Sequence, residues 1–283
     1  MANQHHDELV RAAELIADAQ ALIVAAGAGM GVDSGLPDFR GKEGFWRAYP
    51  AFRAAGLDFY DMASPAAFEA RPKQAWGFYG HRLAMYRATV PHQGFALLKR
   101  WMGAMPGGGW VFTSNVDGQF QKAGFEPDRL YECHGSIHHL QCTQPCGDEI
   151  WAADDVHPDI DTDNCALTNA LPSCPRCGAM ARPNILMFGD WAWVGHRSAA
   201  QGRQLAHWLS QVERPVVIEI GAGQAVPSVR SFSQRMVGQF GARLVRINTD
   251  DPRVPSAMDV GLPMPGLPCL QAIDDLLRQM NSA

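Results

Sequence analysis

Two close pairs of cysteines carry the most specific chemical pattern in the 283-residue sequence. The pairs are Cys142-x3-Cys146 and Cys174-x2-Cys177, with 27 residues between them. Thiolates at such spacings hold structural zinc, and four of them close a tetrahedral site with no position left open for catalysis. The alternative is a set of free buried thiols. We expect the four cysteines to bind one structural zinc ion.

A histidine and two polar residues follow apolar stretches that are typical of strands. His134 stands beside Gly135, and an ordinary imidazole pKa near 6.5 suits a general base at neutral pH. The alternative is a structural histidine. Asn115 and Asp117 lie in the segment TSNVDG. They would either cap the next helix or hold an amide ligand, which needs both a donor and an acceptor.

Two glycine turns indicate where phosphate would bind. Gly27-Ala28-Gly29 and Gly221-Ala222-Gly223 each follow a short apolar run. Glycines let backbone amides approach phosphate oxygens, and a helix that begins beside them adds a favourable dipole. The first turn lacks the third glycine of the usual dinucleotide fingerprint, so a tight strand-to-helix turn is the alternative. Two such turns together favour a dinucleotide with two phosphates.

The elements that would position these residues alternate between buried strands and helices. A helical pattern covers residues 7–20 and precedes the apolar runs ALIVAA, WVFTSN, RLYECHG, PVVIEIGAG and RLVRINTD. Continuous apolar strands separated by helices predict an α/β fold, with a parallel sheet covered by helices on both faces. Ligands bind beyond the carboxyl ends of such strands, so the polar residues that follow them should converge on one crevice.

Two insertions interrupt this alternation. Residues 42–90 are rich in aromatic side chains and predict helices and loops packed over the crevice. Residues 136–180 hold the four cysteines and an acidic stretch, and they show little helical or strand periodicity.

Composition excludes several classes of protein. The chain is 47% hydrophobic and 19% charged, which is ordinary for a globular enzyme. Its formal net charge of -5 argues against a basic nucleic-acid groove and a polybasic membrane anchor. No apolar run approaches the roughly 18 residues of a membrane helix, and the first residues lack the hydrophobic stretch of a signal peptide. We expect a cytoplasmic protein that binds neither nucleic acid nor membranes.

Taken in order along the chain, these motifs resemble those of the sirtuins, a family of NAD-dependent protein deacylases. GAGMGVDSGLPDFRG resembles the family's cofactor loop, TSNVDGQFQKAG its Thr-Gln-Asn-Ile-Asp segment, and CHGS its catalytic-histidine strand. The paired cysteines, RPNILMFGD, GAGQAVP and RIN follow in the expected order. The resemblance implies a Rossmann-like NAD-binding domain of residues 1–41, 91–135 and 181–283. The helical insertion 42–90 and the zinc module 136–180 would form a small domain.

By position, the resemblance also implies a role for each motif residue. The residues expected to bind NAD are Gly27, Ala28, Gly29, Asp38, Phe39, Arg40, Ser114, Asn115, Asp117, Gly221, Ala222 and Asn248. Asn115 and Asp117 would hold the nicotinamide carboxamide. In the implied reaction, the acyl oxygen of an acylated lysine attacks the ribose C1′ as nicotinamide leaves. His134 then deprotonates a ribose hydroxyl that attacks the acyl carbon, and water releases free lysine and O-acyl-ADP-ribose, with zinc taking no part.

The sequence departs from the family around the cofactor and after MFGD. Ser114 stands where the family usually has Gln, Gly31 where it often has Ser, and Gly223 where Ser is usual. The family's Leu-Pro segment, which pairs with the peptide substrate, is replaced by WAWVGHRSAAQ. We therefore expect Trp191 and Trp193, together with Phe188, to shape the entrance for the acyl-lysine substrate.

A further match concerns the acyl group. Tyr79 and Arg82 resemble the pair that some sirtuins use to bind an acyl chain that ends in a carboxylate, because Arg offers a bidentate fork and Tyr a hydroxyl. The alternative is an ordinary arginine on a helix that faces solvent.

Three other functions compete with the NAD-dependent lysine deacylase that this resemblance implies. A mono-ADP-ribosyltransferase or NAD glycohydrolase would let another nucleophile capture C1′. A non-catalytic NAD or ADP-ribose sensor would bind the same ligand without cleaving it. A hydride-transfer dehydrogenase is disfavoured by the imperfect fingerprint and the Asp-Phe-Arg extension of the first turn.

Overall fold

A computed structural model describes residues 2–37, 41–144 and 146–282 of the chain. Its strands are β1 (Ala21–Ala26), β2 (Gly109–Thr113), β3 (Leu130–Glu132), β4 (Gly135–Cys142), β5 (Ile150–Ala152), β6 (Ile160–Asp161), β7 (Ala166–Leu167), β8 (Ala181–Ile185), β9 (Pro215–Ile220), β10 (Arg243–Ile247) and β11 (Val260–Leu262). Its helices are α1 (Ala2–Ala17), α2 (Gly41–Ala48), α3 (Pro50–Ala54), α4 (Phe59–Met62), α5 (Pro65–Ala70), α6 (Pro72–Ala88), α7 (Gln93–Ala104), α8 (Gln119–Lys122), α9 (His196–Leu209), α10 (Ser228–Phe240) and α11 (Gly266–Met280). Short 3₁₀ helices span Ala28–Ser34 and Pro127–Arg129.

A six-stranded parallel sheet forms the centre of the protein, in the order β11-β10-β9-β1-β2-β3. This order places β1 beside both β2 and β9, which is the doubly wound arrangement of dinucleotide-binding folds. The predicted parallel α/β fold is therefore confirmed. Because the order reverses at β1, the turns after β1, β2 and β9 meet at one edge of the sheet.

Both faces of the sheet are covered, as the continuous apolar strands predict. Every residue of β1 is buried, and alternate side chains belong to two different apolar clusters. Leu22 and Val24 pack in a cluster with residues of α1, α7 and α11, whereas Ile23 packs in one with residues of α9 and α10. None of the described helices is long and apolar enough to cross a membrane.

The helical insertion confirms the prediction for residues 42–90. Helices α2 to α6 enclose an aromatic cluster in which Phe45 and Phe52 stack with ring centroids 5.8 Å apart. Phe78 of α6 packs edge-on against Phe45, also at 5.8 Å. This packing fixes α6, which carries Tyr79 and Arg82.

The segment 136–180 contains more strand than its weak periodicity indicated. β4 pairs antiparallel with β5 and β8 in a three-stranded sheet, and β6 pairs with β7. The register of β4 against β8 shifts between Ser136 and Leu140, so burial along β4 does not alternate with a period of two. That irregularity hides an eight-residue strand from a periodicity analysis. The division into two domains stays a prediction.

Candidate active site and metal centre

A cleft of about 1050 Å³ lies at the carboxyl ends of the central strands. It brings together most of the predicted site residues: Gly27, Ala28, Tyr79, Arg82, Ser114, Asn115, Asp117, His134, Phe188, Trp191, Gly221, Ala222 and Asn248. Gly29 and Trp193 are not part of this lining, although the Gly29 N–H donates to the Gly221 carbonyl at 3.1 Å. Asp38, Phe39 and Arg40 lie outside the described residues. The convergence expected from the strand ends is therefore observed for residues distant in sequence.

The two glycine turns pack directly against each other. The Gly27 N–H donates to the Ile220 carbonyl at 2.9 Å, and Gly221 has a left-handed φ of 60°. A Cβ added at Gly221 would lie 2.3 Å from the Cα of Gly29. The first turn continues into a 3₁₀ helix over Ala28–Ser34, not an α-helix. Glycine is thus required where the backbones of the two turns meet. This packing explains why both turns contain glycine.

We expect Gly221→Ala to lower the free energy of unfolding by at least about 2 kcal/mol, because it adds both strain and a backbone clash. Separation of the turns should also weaken NAD binding by at least about tenfold. Gly223→Ala is the matched control, since its added Cβ would meet nothing within 4 Å. Urea unfolding and calorimetric NAD titration measure both effects. If Gly221→Ala and Gly223→Ala unfold and bind NAD alike, the contact between the two glycine turns contributes to neither property.

Asn115 connects two of the turns. Its side-chain Nδ2 donates to the Gly27 carbonyl at 2.9 Å, and its backbone N–H donates to Thr113 Oγ1 at 3.0 Å. Helix α8 begins four residues later and has no side-chain cap at Gly118. The capping alternative is therefore wrong for Asn115, which instead holds the loop after β2 against the turn after β1.

Asp117 lies buried in the wall of the cleft. Its Oδ1 accepts the Gln119 N–H at 2.9 Å, so the capping alternative is right for part of its role. Burial raises the pKa of the Asp117 carboxyl from 3.8 to about 6. A carboxylate kept in the cleft against this cost is more typical of a ligand-binding site than of a simple cap.

The raised pKa of Asp117 predicts how Asp117→Asn changes the free energy of unfolding. Folding favours the protonated carboxyl, so the stability of the protein falls as the pH rises from the ordinary pKa of 3.8, and the loss is complete above the folded-state pKa of about 6. The asparagine variant should gain up to about 3 kcal/mol in free energy of unfolding at pH 8, and the gain should fall to roughly half at pH 5. Urea unfolding at the two pH values measures it. A variant less stable than the parent at pH 8 would contradict the burial argument.

His134 lies between β3 and β4, two residues beyond the observed end of β3. The following Gly135 has a φ of 79°, and a Cβ there would lie 2.1 Å from the Asn184 carbonyl oxygen, so the chain turns tightly at this point. His134 Nε2 is 3.0 Å from Ser228 Oγ. Burial lowers the pKa of His134, partly opposed by a hydrogen bond to the Ser114 backbone. The imidazole is therefore neutral at physiological pH, as a general base requires.

Asn248 lines the cleft beside the second glycine turn. Its Nδ2 donates to the Ala222 carbonyl at 2.9 Å, and its Oδ1 accepts the N–H groups of Asp250 and Asp251 at 3.0 and 3.1 Å. Arg230 also donates to Ala222 and to Asp251. Asp251 and Arg230 line the cleft but were not predicted, whereas Asp250 was expected there from its place at the end of the run RLVRINTD. The polar run after RIN was the available signal for the two aspartates.

Tyr79 and Arg82 are both buried and both line the cleft, so the solvent-facing alternative is wrong. Arg82 Nε and Nη2 donate to the Tyr86 hydroxyl at 2.9 and 2.7 Å. The guanidinium also lies 5.1 Å from the Phe78 ring centroid. Tyr86 was not predicted, although a tyrosine four residues after an arginine lies on the same helical face. Together these residues place a cation at an aromatic end of the cleft.

A second group of aromatic side chains in the lining of the cleft, Tyr60, Phe188 and Trp191, is exposed to solvent. Trp191 is 99% exposed, and Phe188 packs against Tyr60 with ring centroids 4.5 Å apart. Asp190 fixes the loop between them, because it is buried against Arg182 at 2.8 Å and accepts the Ala192 N–H at 3.2 Å. The buried ion pair thus fixes a loop whose Trp191 indole is exposed to solvent, where it can contact a bound molecule.

The four paired cysteines lie together away from the cleft, and their Sγ atoms are all within 4.8 Å of one another. The Sγ separations are 3.6 Å for Cys142 and Cys177 and 3.7 Å for Cys146 and Cys174. Thiolates about 2.3 Å from a shared zinc ion lie roughly 3.8 Å apart in a tetrahedron. Backbone N–H groups, that of Cys177 foremost, lower the pKa of the Cys174 thiol to about 7. The cluster thus fits one structural zinc ion.

The remaining cysteines differ in kind from this cluster. Burial raises the pKa of the thiols of Cys133, Cys165 and Cys269 to about 12. These thiols therefore carry little nucleophilic thiolate at neutral pH, and they lie outside the group of four cysteines that could hold a metal ion.

Known proteins are similar to this chain in sequence and in fold. A model of the Sir2 family matches residues 27–220. A NAD-dependent protein deacylase from Aeropyrum pernix is 30% identical over 255 residues, which cover 89% of this chain and 90% of that protein. NAD-dependent protein deacylase 1 from Archaeoglobus fulgidus is 28% identical over 273 residues, covering 95% and 96%. A mutant Sir2 homologue solved with ADP-ribose has a TM-score of 0.70 at 21% identity, covering 96% of this chain and 97% of its own.

The structural likeness establishes the fold, and the family match extends from the first glycine turn to the end of β9. The resemblance to the sirtuins is therefore confirmed, and this chain belongs to the Sir2 family.

Proposed function

We propose that the protein is an NAD-dependent protein-lysine deacylase, which cleaves NAD to nicotinamide and transfers the acyl group to ADP-ribose. The observation that carries the proposal is a neutral imidazole, His134, in the same cleft as the interlocked glycine turns and the Asn115–Asp117 loop. The relatives named as deacylases support the same activity. A purely ligand-binding sensor would not need a base at this position.

Each group has one proposed task. Backbone amides of the glycine turns bind the diphosphate, and Asn115 and Asp117 hold the nicotinamide carboxamide, which offers both a donor and an acceptor. The acyl oxygen of the lysine substrate attacks C1′ as nicotinamide departs. His134 takes the proton of the ribose hydroxyl that then attacks the acyl carbon. Ser114, Ala222 and Asn248 line the dinucleotide.

Product analysis tests this function. NAD is incubated with acetyl-, succinyl- and longer acyl-lysine peptides, and the products are identified by mass spectrometry. The proposal predicts free lysine peptide, nicotinamide and O-acyl-ADP-ribose in equal amounts. An ADP-ribosylated peptide would indicate a transferase, and ADP-ribose formed at full rate without peptide would indicate a glycohydrolase. Absence of nicotinamide release with every peptide would support a sensor.

We further propose that the acyl chain ends in a carboxylate. Arg82 lies buried at the aromatic end of the cleft, where a guanidinium binds a carboxylate through two parallel hydrogen bonds. Burial raises the pKa of the Tyr79 hydroxyl, so it stays protonated and offers a donor to the same group. Succinyl- and malonyl-lysine have this chemistry.

We expect Arg82→Met to lower kcat/KM for a succinyl-lysine peptide by roughly 10- to 100-fold, the usual effect of losing hydrogen bonds to a charged group. Activity on the acetyl-lysine peptide should change by less than about threefold. Arg82→Lys, which keeps the charge but loses the bidentate fork, is the matched control. Its kcat/KM for the succinyl-lysine peptide should lie between those of the parent and of Arg82→Met. Equal losses on both peptides would assign Arg82 a structural role instead.

The peptide around the acyl-lysine is proposed to lie against Phe188 and Trp191. Both line the mouth of the cleft and are at least partly exposed. The net charge of -5 continues to argue against a nucleic-acid partner. A cytoplasmic location stays a prediction from the sequence.

A further inference from the structure

His134 contacts a residue that no motif pointed to. Ser228 is the first residue of α10, and its Oγ lies 3.0 Å from His134 Nε2, although 94 residues separate the two in the chain. Ser228 is half-buried, and the two residues that follow it, Val229 and Arg230, line the cleft. The contact joins the loop after β3 to the helix that follows the second glycine turn.

The contact with Ser228 distinguishes the two nitrogens of the ring. In the neutral tautomer with an unprotonated Nε2, the Ser228 hydroxyl donates to the Nε2 lone pair across 3.0 Å. The other ring nitrogen then carries the proton, and a hydrogen bond with the Ser114 backbone opposes the fall in the His134 pKa that burial causes.

From this geometry we infer that Ser228 is a positioning residue for His134: in the free protein its hydroxyl donates to Nε2, which favours the Nε2-basic tautomer and stabilises the neutral imidazole, and the hydroxyl rotates away when the ribose hydroxyl gives its proton to that nitrogen. The inference rests on the proposed role of His134 as the base. The amino end of α10 acts in the same direction, because its partial positive charge disfavours an imidazolium.

Other charged groups line the same cleft as His134. They come from the residue before α4, α6, the loop after β2, the loop after β8, α10 and the segment after β10, and they are Asp58, Arg82, Asp117, Asp190, Arg230, Asp250 and Asp251. Ser228→Ala leaves all of them in place. A change in the titration of His134 in that variant therefore reports on the hydroxyl.

The experiment is the pH dependence of deacylation for the parent and Ser228→Ala. Loss of a hydrogen bond to the neutral imidazole raises its pKa, so the acid limb of kcat/KM should move up by about 0.5–1 pH unit. Activity well above that limb should fall by less than about tenfold, with KM for NAD unchanged. Ser228→Thr should restore the parent profile, and Ser231→Ala, an exposed serine of the same helix, should not alter it.

Histidine ¹⁵N NMR of the free protein gives a second readout. The parent should show one fixed tautomer at residue 134 and Ser228→Ala a mixture. An unshifted acid limb with an unchanged tautomer would overturn the inference, as would a loss of activity that is independent of pH. The His134→Ala variant keeps the two proposals separate: if it stays active, the proposed base is wrong, whatever Ser228 does.

Discussion

Replacement of His134 by alanine is expected to lower kcat for deacylation by about 10²–10⁴-fold, the usual contribution of a general base. His134 lines the cleft with its pKa lowered by burial, so it is neutral at pH 7.5 and able to accept a proton. Alanine removes the base but leaves the glycine turns intact. Binding of ADP-ribose should therefore change by less than about threefold.

Single-turnover kinetics with a peptide substrate and calorimetry with ADP-ribose measure the two effects. His207→Ala is the control, because His207 is exposed near the end of α9 and bonds to Gln211 at 3.1 Å. A His134 variant with more than about a tenth of parental activity would remove it from the proposed chemistry.

The second large effect concerns zinc. Replacing both Cys174 and Cys177 by serine should reduce bound zinc from about one ion per chain to near zero. The sheet of β4, β5 and β8 should then loosen, because metal binding at such sites contributes on the order of 10 kcal/mol to folding. β8 leads directly into the loop that carries Phe188. We therefore expect deacylation to be lost even though zinc takes no part in it.

Metal analysis and thermal unfolding measure this result. Cys133→Ser is the matched control, since Cys133 lies outside the cluster and its replacement should leave the four zinc-binding cysteines undisturbed. A double variant that retains one zinc ion, or a zinc-free protein with the parental Tm, would contradict the structural role.

Buried parallel strands were the most predictable part of the fold. β1 and β9 are buried on both faces, so they appear in the sequence as continuous apolar runs with polar residues just beyond them. β11 was not predicted, because a three-residue edge strand between turns has too few residues to show a pattern. β4 was hidden by its shift in register.

Site residues were predictable where a motif brought several of them together in sequence. Contacts such as His134 with Ser228 depend on how distant loops meet, and a single serine carries no signal of that. The burial of Arg82 was equally unpredictable, since α6 buries residues around most of its circumference and its pattern does not single out one face.

The central claim is that this cleft transfers the acyl oxygen of the substrate to the ribose C1′. A peptide whose acyl carbonyl carries oxygen-18 tests it most directly, with the products analysed by mass spectrometry. We predict that the label appears in the ADP-ribose half of O-acyl-ADP-ribose, at the C1′ hydroxyl. A C1′ hydroxyl that takes its oxygen from water, with the label left on the released acyl group, would contradict the account.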